Sequence, residues 1–69
     1  MLIPNDTLGK RIARFRRERN LTQAKLAAIV CMEENHISCI ETGRKVPRMD
    51  TVARIATGLG VTIDELCGI

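Results

Sequence analysis

Apolar side chains recur along this chain at spacings of three and four, in short stretches broken by polar residues, proline or glycine. Leu8, Ile12 and Phe15 stand at i, i+4 and i+7, one face of a helix running to about residue 19, with Asp6 or Thr7 as its cap. In 21–43 two shorter helices follow. Thr22 is a fitting N-cap, because its hydroxyl can accept a backbone N–H at a helix start, and Leu21 before it occupies the N′ position of a hydrophobic staple. Leu26, Ile29 and Val30, with Ala27 between them, form the apolar face of the first of these helices. Ile37 and Ile40 form the second, after a tight turn, and Gly43 supplies the left-handed residue that ends it. Val52, Ile55, Ala56 and Leu59 mark a fourth helix stopped at Gly60. Thr62-Ile63-Asp64-Glu65 reads as a capping box opening a last helix that carries Ile63 and Leu66 and stops at Gly68. No stretch reads as a strand. The pattern predicts an all-α fold, a compact bundle of about five short helices in one domain over residues 1–69, with 1–5 as a loosely held arm.

Composition narrows this picture. Sixty-nine residues bury a modest share of their surface, so the core must be regular. With one Phe and no Tyr or Trp it must also be aliphatic, which suits packed helices. No apolar run approaches the roughly 20 residues of a membrane span, and the first residues lack a charged-then-apolar leader, so a cytosolic protein with no membrane role is expected. Cys31, Cys39 and Cys67 are odd in number and form no C-x-x-C pair, and His36 is the single histidine. Reduced thiols are expected, with neither a disulfide framework nor a metal site. One residue sits awkwardly. Arg16 falls at the edge of the first helix's apolar stripe, about 40° beyond Ile12, and there must reach solvent or meet a buried acid.

The net charge of +3 is less informative than its distribution. Between residues 10 and 19, six basic side chains face only Glu18, and Arg44, Lys45 and Arg48 form a second basic group around Pro47. Basic groups flanking a small helical motif point to a polyanionic partner.

Phe15-Arg16, Leu21-Thr22-Gln23, Leu26-Ala27, Ile37-Ser38, Ile40-Glu41, Gly43, Pro47 and Leu59-Gly60-Val61 stand in one order over one helix pattern. In these features the chain resembles the lambda-repressor-like helix-turn-helix family of phage repressors, Cro proteins and small bacterial regulators, over about residues 8–66. The resemblance implies that the motif's second helix, about 33–42, lies in the major groove of DNA while the first crosses the backbone. Counting helical steps, Ile37 and Ile40 face the core and Asn35, Ser38, Cys39 and Thr42 lie opposite. With Glu34, these are the expected base-contacting residues. Asn35 can pair bidentately with adenine, Ser38 with several edges, and Glu34 can accept from a cytosine amine.

Thr22 and Gln23, at the start of the helix crossing the backbone, and Arg44 and Lys45, in the basic loop, are the expected phosphate contacts. Gln23 can bond a phosphate or brace a side chain of the recognition helix. Arg11, Arg14 and Arg17 are further candidates for the DNA backbone. Arg16 and Glu41 match a family pair that forms a largely buried salt bridge, a structural ion pair setting the pitch of the reading helix. Two departures stand out. Cys31 occupies the turn position where the family has glycine, at a cost of about 1 kcal/mol if φ is positive there. Glu33 takes the usual Ser/Thr cap position and Glu34 follows. Two carboxylates favour a helix N-terminus but repel phosphates, so non-specific DNA affinity should be weaker than in a typical member.

The expected function is a sequence-specific DNA-binding transcription regulator of repressor type. It would bind double-stranded DNA as a homodimer on a roughly palindromic site, with dimer contacts around Leu66 and Ile69 by analogy of fold. It would be cytoplasmic in a bacterium or phage-infected cell, on the nucleoid when bound. A protein-interaction module of the same fold, an antitoxin or anti-repressor-type partner, is the alternative; Glu33, Glu34 and an exposed Cys39 would form its face. An enzyme is not expected, nor a cofactor: Cys39 and His36 lie three apart but lack a third, orienting group.

Overall fold

The computed structural model describes residues 6–68, with side chains from Leu8 onward. The arm 1–5, the side chains of Asp6 and Thr7 expected to cap the first helix, and Ile69 lie outside them. Five helices follow one another: α1 (Asp6–Glu18), α2 (Gln23–Val30), α3 (Glu34–Glu41), α4 (Met49–Leu59) and α5 (Ile63–Cys67). No strand occurs among the described residues.

The helix starts and stops follow from single residues. Thr22 and Thr62 accept from Lys25 N–H and Glu65 N–H, each at 3.0 Å, and Glu65 returns the bond to Thr62 N–H at 2.9 Å, completing the capping box. α1 to α4 each end the same way. A residue in the left-handed region follows the helix, namely Asn20 (φ 56°), Cys31 (57°), Gly43 (82°) and Gly60 (74°). The next N–H then reaches back five residues: Leu21 to Arg16 O, Met32 to Ala27 O, Arg44 to Cys39 O and Val61 to Ala56 O. This is the Schellman closure, which satisfies orphan carbonyls and turns the chain within one residue. Glycine and asparagine tolerate the geometry; Cys31 takes it despite its β-carbon.

Ile12, Leu26, Ile37, Ile40, Ile55 and Leu66 are fully buried, with Ala27, Val30, Val52, Ala56 and Leu59 completing an aliphatic core. Leu21 packs against this core beside the Thr22 cap, as a staple requires. α2 packs on α3 and α4, while α1 packs on α3 and α5. Where α1 crosses α3 the backbones nearly touch. A β-carbon at Gly9 would meet the carbonyl oxygens of Ile40 and Glu41, the latter at 2.6 Å, so only glycine fits this crossing.

Three expectations need correction. Ile29 is not in the core. It is 52% exposed and lines an open groove between α2 and α4 with Val30, Cys31, Arg54, Thr57 and Gly58. Leu66 is fully buried within its own chain, so it cannot serve as a dimer contact. Arg11 faces inward. Its Nε donates to Leu66 O at 2.9 Å and its Nη2 to Glu65 O at 2.6 Å, closing the C-terminal end of α5 from α1. A guanidinium there complements both the orphan carbonyls and the negative end of the helix dipole.

Candidate nucleic-acid interface

The orientation of α3 is set by a polar bracket on its inner side. Arg16 Nε donates to Glu41 Oε2 at 2.7 Å and Arg16 Nη2 to Glu41 Oε1 at 3.0 Å, a bidentate pair in which each residue is 9% exposed. Arg16 Nη1 also donates to Leu21 O at 2.8 Å, just before α2. Gln23, the first residue of α2, donates from Nε2 to Glu41 Oε1 at 2.9 Å. One carboxylate therefore joins α1, α2 and α3, and no buried side-chain polar atom among the described residues lacks a partner. The hydrogen bonding that Arg16 donates to Glu41 is the largest influence on its guanidinium. Together with the charge of Glu41 it outweighs burial and raises the guanidinium above its ordinary value. Each of the three guanidinium nitrogens of Arg16 thus donates one bond within the bracket. Of the two roles open to Gln23, the brace to α3 is the one its amide performs here.

The opposite side of α3 faces outward. Glu34, Asn35 and Thr42 are exposed, and Ser38 is half-buried. Gln23, Glu34, Asn35 and Ser38 line one shallow groove where the start of α2 meets α3. Cys39, expected to be exposed, is also half-buried, so its thiol offers a smaller and softer contact. Thr42 turns its hydroxyl proton back onto its own helix, donating to Ser38 O at 3.0 Å with Cys39 O at 3.3 Å. Glu33 is the N-cap of α3 and makes no side-chain capping bond, so both it and Glu34 present exposed carboxylates at the helix entrance.

The basic loop is tied to the other end of α3. The N–H groups of Arg44 and Lys45 both donate to Cys39 O, at 2.9 and 3.2 Å, which places two exposed cationic side chains directly beyond α3. Val46 and Met49 nearby are 73% and 64% exposed, unusual for apolar residues of this size. The basic run on α1 divides. Arg16 is buried and Arg11 is half-buried against α5, whereas Arg14 and Arg17 remain on the surface, with Arg14 3.9 Å from Glu18. Arg11, Arg14 and Arg19 also lie over the Phe15 ring at 5.9, 5.2 and 5.4 Å from its centroid. Charge counting alone could not have separated these roles. The signal for Arg11 is its position one step before Ile12, on the flank of the stripe that packs α5.

The three thiols are free, and no group of three or more His, Cys, Asp or Glu among the described residues is placed to hold a metal ion. No described helix is long and apolar enough to cross a membrane.

Comparison with known proteins places this geometry. The family described as "Helix-turn-helix domain" matches residues 7–66. The immunity repressor protein of Bacillus phage phi105 is 34% identical over 62 residues, covering 90% of this chain but 43% of the repressor, so the chain spans less than half of that relative's length. An HTH-type transcriptional regulator of Sinorhizobium fredii, y4dJ, is 37% identical over 59 residues, covering 86% of this chain and 77% of the regulator. In fold, the restriction-modification controller protein C.AhdI from Aeromonas hydrophila superposes with a TM-score of 0.84 at 24% identity, over 86% of this chain and 89% of that one.

Proposed function

The chain belongs to the helix-turn-helix domain family, and we propose that it is a sequence-specific DNA-binding transcription regulator, with α3 in the major groove and α2 across the sugar-phosphate backbone. The observation that carries this reading is the division of α3 into two sides. Its inner side is fixed by Ile37, Ile40 and the Arg16–Glu41–Gln23 bracket, while its outer side offers short polar groups that can approach base edges. Glu34, Asn35, Ser38, Cys39 and Thr42 contact bases. Thr22 and Gln23, where the N-terminus of α2 is electropositive, and Arg44 and Lys45 in the loop contact phosphates. The repressor and regulator named among the relatives support this reading.

The protein works by occupancy rather than catalysis, in the cytoplasm of a bacterial or phage-infected cell. It binds as a homodimer, each copy taking one half of a roughly palindromic site about 34 Å from the other. The exposed pair Glu33 and Glu34 favours a second reading, a module that meets a basic protein surface, as an antitoxin or anti-repressor-type partner would.

The test is binding to duplex DNA followed by fluorescence anisotropy across a salt series. Affinity should fall steeply with salt, Lys45→Ala should reduce the slope by about one, and Asn35→Ala should weaken specific binding selectively. Affinity no better than millimolar at low salt, unaltered by Asn35→Ala, would remove the DNA reading. A stable co-purifying protein without DNA binding would establish the second.

A further inference from the structure

The outward side of α3 carries no cationic donor, and a carboxylate stands at its entrance. No arginine or lysine lies between residues 33 and 42. Glu34 accepts only, through two carboxylate oxygens. Gln23, across the shared groove, gives one amide N–H to Glu41 and keeps its second N–H and its carbonyl. Thr42 has already used its single hydroxyl proton on its own helix, so toward a ligand it too is an acceptor. Gln23, Asn35 and Ser38 each combine a donor with an acceptor, so Glu34 is the one residue lining the groove that accepts only.

In the major groove the four bases differ in what they offer such a surface. Cytosine presents an N4 amine donor, and adenine an N6 amine beside the N7 acceptor. Guanine presents only the acceptors N7 and O6, and thymine the acceptor O4 with a methyl group. We infer that Glu34 and Asn35, in the groove they share with Gln23 and Ser38, select amine-bearing base edges, with Glu34 reading a cytosine N4 and Asn35 pairing with adenine N6 and N7. Adenine is the second choice at Glu34. Guanine and thymine are rejected there, because a carboxylate facing O6 or O4 leaves two desolvated acceptors without a proton between them. A G·C pair at that step is accepted in one orientation, with its cytosine toward α3.

This inference rests on the DNA-binding reading and is separable from it by experiment. The purified full chain selects from a library of randomised duplexes, in parallel with Glu34→Gln and Asn35→Ala. Glu34 is exposed and its replacement nearly isosteric, and an unchanged circular dichroism spectrum confirms that each variant is folded. Wild-type protein should prefer cytosine over guanine or thymine by about 10–100-fold at one position. Glu34→Gln, whose amide can also donate to O6 or O4, should collapse that ratio toward one at that position alone. Asn35→Ala should relax a neighbouring adenine instead. An enriched consensus that Glu34→Gln leaves unchanged, or a guanine or thymine at the position it alters, overturns the inference while leaving DNA binding intact. Enrichment of no duplex at all overturns both.

Discussion

Removing either member of the Arg16–Glu41 pair should come close to unfolding the protein, whereas removing both should not. In Glu41→Leu the guanidinium of Arg16 stays buried with Leu21 O as its one remaining partner, and Gln23 loses its acceptor. In Arg16→Met the Glu41 carboxylate keeps only Gln23. Stranding one charge of a buried pair costs about 3–5 kcal/mol. The retained bonds place these variants toward the lower end of that range. A domain of 69 residues has a total stability of roughly 3–10 kcal/mol, so either loss consumes a large fraction of it. The double variant Arg16→Met/Glu41→Leu removes both desolvation penalties and fills the space with apolar groups, and should lie within about 1–2 kcal/mol of the parent. The assay is urea unfolding followed by far-ultraviolet circular dichroism, because the chain has neither Trp nor Tyr to report by fluorescence. If each single variant loses less than about 1 kcal/mol, the pair behaves as an exposed surface bridge and the reasoning from burial is wrong.

The same unfolding assay checks three further expectations. Gly9→Ala should destabilise by about 1–2 kcal/mol despite alanine's better helix propensity, because its β-carbon meets the carbonyls of Ile40 and Glu41; a gain in stability would mean that α1 and α3 cross less closely. Cys31→Gly should stabilise by up to about 1 kcal/mol by relieving the left-handed cysteine, offset in part by the freer unfolded chain, and a loss would show that the thiol makes a contact worth more than the strain. Bonds from Thr62, its backbone N–H first, hold the Glu65 carboxyl below its ordinary value of 4.5. A depressed folded value contributes stability that is present above the unfolded value of 4.5 and lost as pH falls from there through the lower folded value, so the difference between wild type and Glu65→Gln should be constant at neutral pH and shift on acidification. A difference independent of pH from neutral to well below 4.5 would exclude that linkage.

The helix plan was legible because each element carries both a stripe and a punctuating residue. Thr22, Gly43, Gly60 and the Thr62–Glu65 box mark boundaries by backbone chemistry that does not depend on the rest of the fold. Arg16 was legible as an anomaly, a charge at the edge of an apolar stripe, and its partner came from the resemblance. What stayed hidden depends on neighbours. Periodicity counts Ile29 as core because it cannot show that α4 stops short of covering it. Gly9 reads as a poor helix former until a second backbone is seen against it. Arg11 and Arg14 have the same charge and lie on one helix, yet only the position of α5 turns the first into a brace. Leu66 reads as available to a second subunit until the rest of its own chain is seen to enclose it.

The two sides of α3 share almost no residues, and this has a consequence for how the protein can change. Glu41, Ile37 and Ile40 hold the helix in place, whereas Glu34, Asn35 and Ser38 face outward and contribute nothing to the core. Exchanging the outward set for other polar residues should leave folding nearly untouched while changing which DNA is recognised. The scaffold is in this sense rewritable: new target preferences lie a few surface substitutions away, and none of those steps must pass through an unstable intermediate sequence.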